Sequence, residues 1–249
     1  MGKEAKRRAR ERLAEQRRRE AAQARRRRTL LISGAAVVVI AVIVAVVVVV
    51  QRSRDDSGGT GRYTGPLAPI SVDPSSGSAT MTKPGVTKPL VDVYEDFQCP
   101  HCKRFEESTG SVLRRLAAQG KIKVVYHLVG FVNPIGSPRA AAAALCVPSS
   151  AWMKYHDALY ARQPAEANDP RQSAFTADKL RAIGADAGLG DKTLKCIADQ
   201  TYIEQARSAT QKAERTDHVD STPVVRRDGQ DIPLTTVFDR EAFTKALTG

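Results

Sequence analysis

Residues 90–102 read Leu-Val-Asp-Val-Tyr-Glu-Asp-Phe-Gln-Cys-Pro-His-Cys, and this stretch decides the fold. Its first part, residues 90–97, is rich in β-branched and aromatic side chains, which predicts a strand. Residues 102–119 alternate polar and apolar side chains as a helix does, and Gly120 follows as a stop signal. A second β-prone run at residues 122–129 completes a strand-helix-strand unit. Such a unit predicts two parallel strands joined by a right-handed crossover.

Two cysteines, Cys99 and Cys102, lie where the first strand runs into the helix. Their spacing lets them close a small disulfide ring, with the first sulfur exposed and the second shielded by the helix. The N–H groups and the dipole at the helix start stabilise an anion, so we expect a lowered pKa for the Cys99 thiol. Pro100 and His101 lie between the cysteines, and His101 can add positive charge or a hydrogen bond. Because a stabilised thiolate favours the reduced form, the disulfide is expected to be oxidising.

Other uses of a Cys-x-x-Cys sequence fit this chain less well. A c-type haem site needs histidine directly after the second cysteine, where this chain has Lys103. A zinc ribbon needs a second close pair, but Cys146 and Cys196 each stand alone. A structural disulfide rarely has so short a spacing. The pattern therefore favours redox chemistry.

Residues 96–102 resemble the active site of DsbA-like thiol:disulfide oxidoreductases of the thioredoxin superfamily, and the resemblance covers about residues 79–249. It implies an α/β thioredoxin-like fold with an inserted helical subdomain at about residues 137–215. It also implies that Cys99 is the attacking, solvent-facing thiol and that Cys102 is the resolving thiol.

A second segment resembles the loop in which this family places a cis-proline opposite the cysteines. Residues 221–224 read Ser-Thr-Pro-Val, so Pro223 would be cis and the backbone of Thr222 would pair with an extended substrate. An ordinary turn proline is the alternative. Many relatives carry a buried acid six residues before the first cysteine, but this chain has Val93 there. Glu95 points to the same face of the strand, and it either handles the proton of Cys102 or is an ordinary solvated glutamate.

The rest of the domain has clear helix and turn signals. Helices are predicted at residues 139–146, 151–161, 176–187 and 191–215, then a strand at 223–227, a turn at Asp228-Gly229, a return strand at 232–234 and a closing helix at 240–247 capped by Asp239.

The remaining cysteines, Cys146 and Cys196, fall on predicted helices fifty positions apart. They either form a structural disulfide or remain as two free buried thiols. His127, His156 and His218 show no clustered metal pattern. We therefore expect neither a metal nor another cofactor.

The net charge of +12 on 249 residues is distributed unevenly. Residues 1–28 hold 13 basic and 4 acidic side chains, and residues 29–50 hold no charged side chain. The uncharged run is long enough to span a bilayer as a helix and has no small-residue cleavage site, which predicts an uncleaved signal anchor. By the positive-inside rule the basic tail stays in the cytoplasm and the rest lies outside. A nucleic-acid-binding arm is the alternative for the tail, but it lacks aromatic residues for base stacking.

Beyond the anchor, residues 51–78 are rich in Ser, Gly, Thr and Pro and are predicted to be a flexible linker. The last part of this region also allows a short strand, near residues 70–72 or near residues 79–82. The catalytic domain then occupies residues 79–249 outside the cytoplasm, where an even number of cysteines is expected. A composition of 27% charged and 42% apolar residues excludes full disorder, and irregular Gly and Pro exclude a collagen-like chain.

Together these features predict a single-pass membrane enzyme that introduces disulfide bonds into exported proteins. The resemblance implies that a quinone-linked membrane partner reoxidises it. A reductase or isomerase would use the same residues in the opposite direction. A non-catalytic chaperone or binding protein with a thioredoxin fold is the alternative from another class.

Overall fold

The computed structural model describes residues 63–165 and 170–249. The predicted basic tail, the predicted signal anchor at residues 29–50 and the first part of the predicted linker lie outside the described residues. Within the described ranges, every helix is too short or too polar to cross a membrane. The membrane anchor and its orientation therefore stay predictions.

One mixed sheet of six strands forms the centre of the domain, in the spatial order β1-β2-β4-β3-β5-β6. The strands are β1 (Ile70–Asp73), β2 (Ser78–Met81), β3 (Leu90–Glu95), β4 (Lys123–Leu128), β5 (Val224–Arg227) and β6 (Gln230–Asp231). Strands β3 and β4 pair in parallel, which confirms the prediction from the strand-helix-strand order, and the other neighbours pair antiparallel. The active-site strand β3 thus lies inside the sheet, flanked by β4 and β5.

Ten helices of the described residues surround this sheet. They are α1 (Pro100–Phe105), α2 (Ser111–Ala118), α3 (Gly136–Leu145), α4 (Trp152–Ala161), α5 (Pro170–Ser173), α6 (Ala177–Asp186), α7 (Asp191–Ala198), α8 (Ile203–Arg215), α9 (Leu234–Val237) and α10 (Arg240–Thr248). In the sequence, helices α3 to α8 follow β4 and precede β5, where the helical insertion was predicted. Asp239 caps α10 as predicted, since its side chain accepts a hydrogen bond from the backbone N–H of Ala242 at 2.8 Å.

The helix predicted over residues 102–119 is interrupted by a π-helical turn at Glu106–Gly110. A Cβ atom at Gly110 would collide with the carboxylate of Glu106, so this position favours glycine. Arg240 donates hydrogen bonds to the Ser108 carbonyl and to the Ser111 hydroxyl. The guanidinium of Arg240 thus satisfies polar groups at the irregular turn.

Two predicted elements near the end of the chain differ from the structure. The helix predicted over 191–215 ends at Ala198 and resumes at Ile203, because the intervening Gln200 adopts a φ of +53° that a helix cannot contain. The return strand predicted at 232–234 is shifted to Gln230–Asp231, directly after the Asp228-Gly229 turn. Helix α9 occupies its place, and Pro233 stands at the helix start, where proline is tolerated.

The domain also begins earlier than predicted. Strand β1 lies inside the stretch assigned to the linker, and Ala68 is only 3% exposed. Both optional short strands exist, because β1 and β2 form a hairpin that pairs with β4. The sheet of the described residues thus begins before residue 79, inside the stretch predicted as linker.

The helical insertion is held together by a tight helix and a covalent link. Helix α3 carries five consecutive buried alanines, residues 140–144, whose small side chains let neighbouring helices approach closely. At its end Cys146 forms a disulfide with Cys196 of α7, with an S–S distance of 2.05 Å. Of the two alternatives for these cysteines, the structure shows the bridge.

Candidate active site

The two active-site cysteines lie at the junction of β3 and α1, and both are buried. Cys99 is the N-cap residue of α1, with Pro100 at the first helical position. Only 4% of Cys99 is exposed, and Cys102 is fully covered. The expectation of a solvent-facing Cys99 is therefore wrong. Its Sγ lies 3.3 Å from the carbonyl oxygen of Thr222, which is 123 positions away in sequence and covers the thiol.

The segment opposite the cysteines is the predicted proline loop. The peptide bond between Thr222 and Pro223 is cis. Pro223 is buried and Thr222 is half-buried, and β5 begins directly afterwards at Val224. Since β5 pairs with β3, the register of the sheet brings the loop to the end of β3 that carries the cysteines. His218 lies in the same loop with a φ of +53°.

The two thiols hold their protons with very different strength. The pKa of Cys99 is lowered to about 5, chiefly by a hydrogen bond from the Cys102 thiol. The side chain of Thr222 and the backbone N–H groups of Cys102 and His101 also lower it, whereas burial opposes the shift. Burial and the neighbouring Cys99 raise the pKa of Cys102 well above its ordinary value. At neutral pH the reduced site therefore holds a thiolate at Cys99 and a neutral thiol at Cys102. The side chains of Pro100 and His101 are exposed, and His101 acts here through its backbone.

Glu95 is the last residue of β3 and is fully buried. The alternative of a solvated glutamate is therefore wrong. Its Oε1 lies 2.8 Å from Nε2 of His156, and its Oε2 has no hydrogen-bond partner among the described residues. The charge of Glu95 contributes to the raised pKa of Cys102, so the two groups interact. Proton handling by Glu95 stays a prediction.

A charged network that the sequence did not indicate continues from Glu95. His156 of α4 is fully buried, and its Nδ1 lies 3.2 Å from Oδ1 of Asp157. Arg114 donates hydrogen bonds to both carboxylate oxygens of Asp157, at 2.7 and 3.0 Å, and to Oε2 of Glu106 at 2.6 Å. Burial opposes charge on His156, but Glu95 and Asp157 outweigh it and raise its pKa to about 10.

The acidic members of this network already have cationic partners. One oxygen each of Glu95 and Glu106 and one ring nitrogen of His156 lie within 4.8 Å of one another, as close as metal ligands would be. Glu95, however, pairs with His156, and Glu106 pairs with Arg114. Positive charge at both carboxylates opposes a cation, so we interpret the cluster as an ion-pair network.

Asp96 and Gln98 hold the active-site segment in place. Oδ2 of Asp96 accepts hydrogen bonds from the backbone N–H groups of Phe131 and Val132, both at 2.8 Å. Burial raises the pKa of Asp96 to about 6 against these hydrogen bonds.

The side chain of Gln98 reaches the helical insertion. Its Nε2 donates to the Ser173 carbonyl at 2.6 Å, and its Oε1 accepts from the Phe175 N–H at 3.1 Å. Gly136 lies so close to Gln98 that a Cβ atom there would collide with Oε1. The insertion thus contributes directly to the position of the cysteines.

Residues 86–247 match the family model described as thioredoxin. Oxidised DsbA from Mycobacterium tuberculosis is 31% identical, with a TM-score of 0.55 over 68% of this chain and 88% of that chain. The disulfide bond oxidoreductase DsbG from the same organism is 30% identical, with a TM-score of 0.54 over 68% of this chain and 83% of that chain. None of the curated proteins matches this sequence.

More distant structures share the fold. The thiol-disulfide oxidoreductase MdbA from Corynebacterium diphtheriae is 20% identical, with a TM-score of 0.60 over 78% of this chain and 98% of that chain. BdbD from Bacillus subtilis is 17% identical, with a TM-score of 0.58 over 74% of this chain and 97% of that chain. With its family match, its fold and its paired cysteines, the chain belongs to the thioredoxin family, as a thiol-disulfide oxidoreductase of the DsbA type.

Proposed function

We propose that this protein is a membrane-anchored oxidase that introduces disulfide bonds into exported proteins through Cys99 and Cys102. The observation that carries the proposal is the asymmetry of the two thiols. The pKa of Cys99 is lowered to about 5 and that of Cys102 is raised well above its ordinary value. A thiolate that is stable at neutral pH favours the reduced enzyme, so the disulfide is readily transferred to a substrate.

The reaction consists of two thiol–disulfide exchanges. A substrate thiolate attacks Sγ of Cys99, the Cys99–Cys102 bond breaks, and Cys102 leaves as a thiolate that takes up a proton. A second substrate thiolate then attacks the substrate sulfur of the mixed disulfide. The substrate gains a disulfide, and Cys99 leaves as the stabilised thiolate. Two electrons pass from the substrate dithiol to the enzyme disulfide.

The loop before β5 suits an extended, unfolded substrate. The carbonyl of Thr222 lies beside Sγ of Cys99, so a substrate strand that pairs with the Thr222 backbone would bring its cysteine to Cys99. Val132 is 48% exposed, and its N–H is bonded to Asp96 of the active-site segment. An exposed apolar side chain at this place would contact apolar residues of an unfolded chain.

The location of the protein rests on its first 50 residues. The uncharged run at residues 29–50 and the basic tail before it support an uncleaved anchor with the domain outside the cytoplasm. In that setting the reduced enzyme needs an electron acceptor. A quinone-linked membrane protein, as the resemblance implies, would lie within reach of a tethered domain.

Two cysteine variants test this function. Cys99→Ala should lose the oxidation of a reduced, unfolded model protein, because Cys102 without Cys99 cannot form the enzyme disulfide that is transferred. Cys102→Ala should accumulate mixed disulfides, because its Cys99 thiolate still attacks a substrate disulfide whereas Cys102 can no longer attack Cys99 and displace the bound substrate. The double variant is the matched control and should accumulate none. Oxidation at the wild-type rate by Cys99→Ala would contradict the proposal, as would an absence of trapped substrates on Cys102→Ala.

A further inference from the structure

The segment that faces Cys99 runs from the end of α8 to the start of β5. Thr222 in this segment places its carbonyl oxygen 3.3 Å from the Cys99 sulfur, while the two residues before Thr222 are exposed. The far end of the segment is fixed by the sheet, because Val224 pairs with Tyr94 of β3. The position of Thr222 therefore depends on how the other end, next to α8, is held.

The end next to α8 contains His218, whose φ of +53° is uncommon for a residue other than glycine. Hydrogen bonds hold the backbone on both sides of this residue. Nη1 of Arg226 donates to the carbonyl of Asp217 at 2.7 Å, and the N–H of Val219 donates to the carbonyl of Ala213 at 2.9 Å. A backbone conformation of this kind persists only where the surrounding contacts fix it. Arg226 supplies one of those contacts from β5.

We propose that Arg226 is a positioning residue for the reaction at Cys99. By holding the carbonyl of Asp217, it keeps the Thr222-Pro223 segment against the Cys99 sulfur, where an extended substrate strand would bind. This inference rests on the proposed thiol–disulfide exchange and adds a residue that lies outside both the cysteine pair and the proline loop.

The guanidinium of Arg226 is held in one orientation by further contacts. It lies over the ring of Tyr94, 5.4 Å from the ring centroid, and its Nε donates to Oδ1 of Asp231 in β6. Only 16% of the Arg226 side chain is exposed. A planar guanidinium can stack on an aromatic ring and donate hydrogen bonds in two directions at once, which a lysine ammonium cannot do together. Arg226 thus connects β3 and β6 to the segment before the cis-proline.

A small apolar cluster, separate from the main core, joins the same segment to the sheet. Its buried members are Tyr94, Val129, Ala213 and Val219. His127 of β4 stacks on the Tyr94 ring at a centroid distance of 4.4 Å. Because β4 and β5 flank β3 on opposite sides, His127 and Arg226 approach this ring from opposite directions. The ring therefore forms a fixed support for the guanidinium.

Loss of the Arg226 contact should change the surroundings of the Cys99 sulfur. Once the carbonyl of Asp217 is released, His218 can leave its unfavourable backbone conformation, and Thr222 is then fixed only from the side of β5. The side chain of Thr222 helps to lower the pKa of Cys99, so a displaced Thr222 stabilises the thiolate less. A substrate strand that pairs with the Thr222 backbone would also bind less tightly.

The test replaces Arg226 by a side chain of similar length without N–H donors. The oxidised full-length protein is mixed with a synthetic extended peptide that has two reduced cysteines, and reduction of the enzyme disulfide is followed at increasing peptide concentration. Arg226→Met should raise the half-saturating peptide concentration about three- to tenfold, the range expected for the loss of one hydrogen bond, with a smaller change in the maximal rate.

The alkylation midpoint of Cys99 gives a second readout, which a purely structural role would not move in the folded protein. Arg226→Met should raise this midpoint, and so should Thr222→Val. The double variant should raise it no further than the larger of the two single changes, because both substitutions act through the same contact.

The matched control is Arg227→Met. Arg227 is the next residue of β5, points to the opposite face of the sheet and donates to the Ala246 carbonyl at 3.2 Å, so both readouts should keep their wild-type values. Arg226→Lys keeps the charge without the two-directional hydrogen bonding and should retain most of the change. It also serves as the milder replacement if Arg226→Met does not fold.

Three results would overturn the inference: wild-type readouts in the folded Arg226 variants, full recovery in Arg226→Lys, or additive shifts with Thr222→Val. Trapping of mixed disulfides on Cys102→Ala would still support the proposed function in each of these cases.

Discussion

Cys99 and Cys102 are three positions apart and differ in the surroundings of their sulfur atoms. The Cys99 sulfur accepts hydrogen bonds from the Cys102 thiol, from the side chain of Thr222 and from backbone N–H groups, whereas the Cys102 sulfur is buried and interacts with the charge of Glu95. The first environment favours the anion and the second favours the neutral thiol. This difference supports the proposed roles of Cys99 as the attacking thiol and Cys102 as the resolving thiol.

The pH dependence of alkylation tests this asymmetry. A thiol reacts as its thiolate, so Cys99 of the reduced protein should react with iodoacetamide with a midpoint near pH 5, well below about 8.5 for a free cysteine. Cys102→Ala should raise the midpoint most, because it removes the largest stabilising hydrogen bond. Thr222→Val should raise it less. A wild-type midpoint above pH 8 would contradict this reading of the site.

Arg114 is the residue on which the buried network depends for stability. It contacts Glu106 and Asp157 and is only 4% exposed, so Arg114→Leu removes the cation of the buried Glu106 and one of the cationic partners of Asp157. Loss of one member of a buried ion pair costs about 3–5 kcal/mol, and we expect a decrease of that size in the free energy of unfolding in urea. The half-buried neighbour Arg115 provides the control. Arg115→Leu should change the free energy of unfolding by less than about 1 kcal/mol. Equal effects of the two variants would show that the network does not stabilise the fold.

The sequence indicated some of these residues and not others, for a physical reason. Short local sequence patterns indicate the roles of Cys99, Cys102 and the Thr222-Pro223 pair. His156 carries no such pattern, because its partner Glu95 is 61 positions away and meets it only when α4 packs on β3. The sequence indicates a partner for Glu95 only in general terms, because a buried acid needs a hydrogen-bond partner.

At the scale of elements, the helical insertion holds the active-site segment through side-chain hydrogen bonds. Gln98 bonds to the segment before α6, and Gln163 beyond α4 donates to the carbonyls of Phe97 and Cys99 at 2.8 and 3.1 Å. The disulfide between α3 and α7 stabilises this insertion. It closes a loop with a sequence separation of 50 residues.

Removal of that disulfide should therefore lower stability without changing the redox site. The double variant Cys146→Ala/Cys196→Ala should lose about 4 kcal/mol in the free energy of unfolding, by the entropy of the loop it closes. Denaturation of the oxidised protein measures the loss. The alkylation midpoint of Cys99 in the folded variant should stay near pH 5, and a large shift would mean that the bridge also shapes the active site.

Element boundaries were predictable where local signals exist. Gly120 ends the region of α2, Asp239 caps α10, and Asp228-Gly229 forms the hairpin turn with φ values of +49° and +82°. The π-helical turn at Glu106–Gly110 was not predictable, because it depends on Arg114 and Arg240 from other parts of the fold. The break at Gln200 was also missed, since glutamine carries no turn signal.

For the whole molecule, the distribution of the net charge of +12 along the chain matters more than its total. Nine of these charges belong to residues 1–28, so the remaining chain carries only +3. This distribution fits a cytoplasmic flank of an anchor and a nearly neutral outer domain. We therefore expect a thiol reagent that cannot cross membranes to label Cys99 in intact cells after reduction of the protein. Labelling only after cell lysis would contradict the orientation.

The reduction potential of the Cys99–Cys102 pair at pH 7 tests the central claim most directly. Equilibration of the full-length protein with glutathione buffers, read out by alkylation, gives this value. A stabilised Cys99 thiolate predicts an oxidising pair near about −120 mV, as in a dedicated oxidase. A value near about −270 mV, at the thioredoxin end of the range, would show that the protein works as a reductant and would contradict the account.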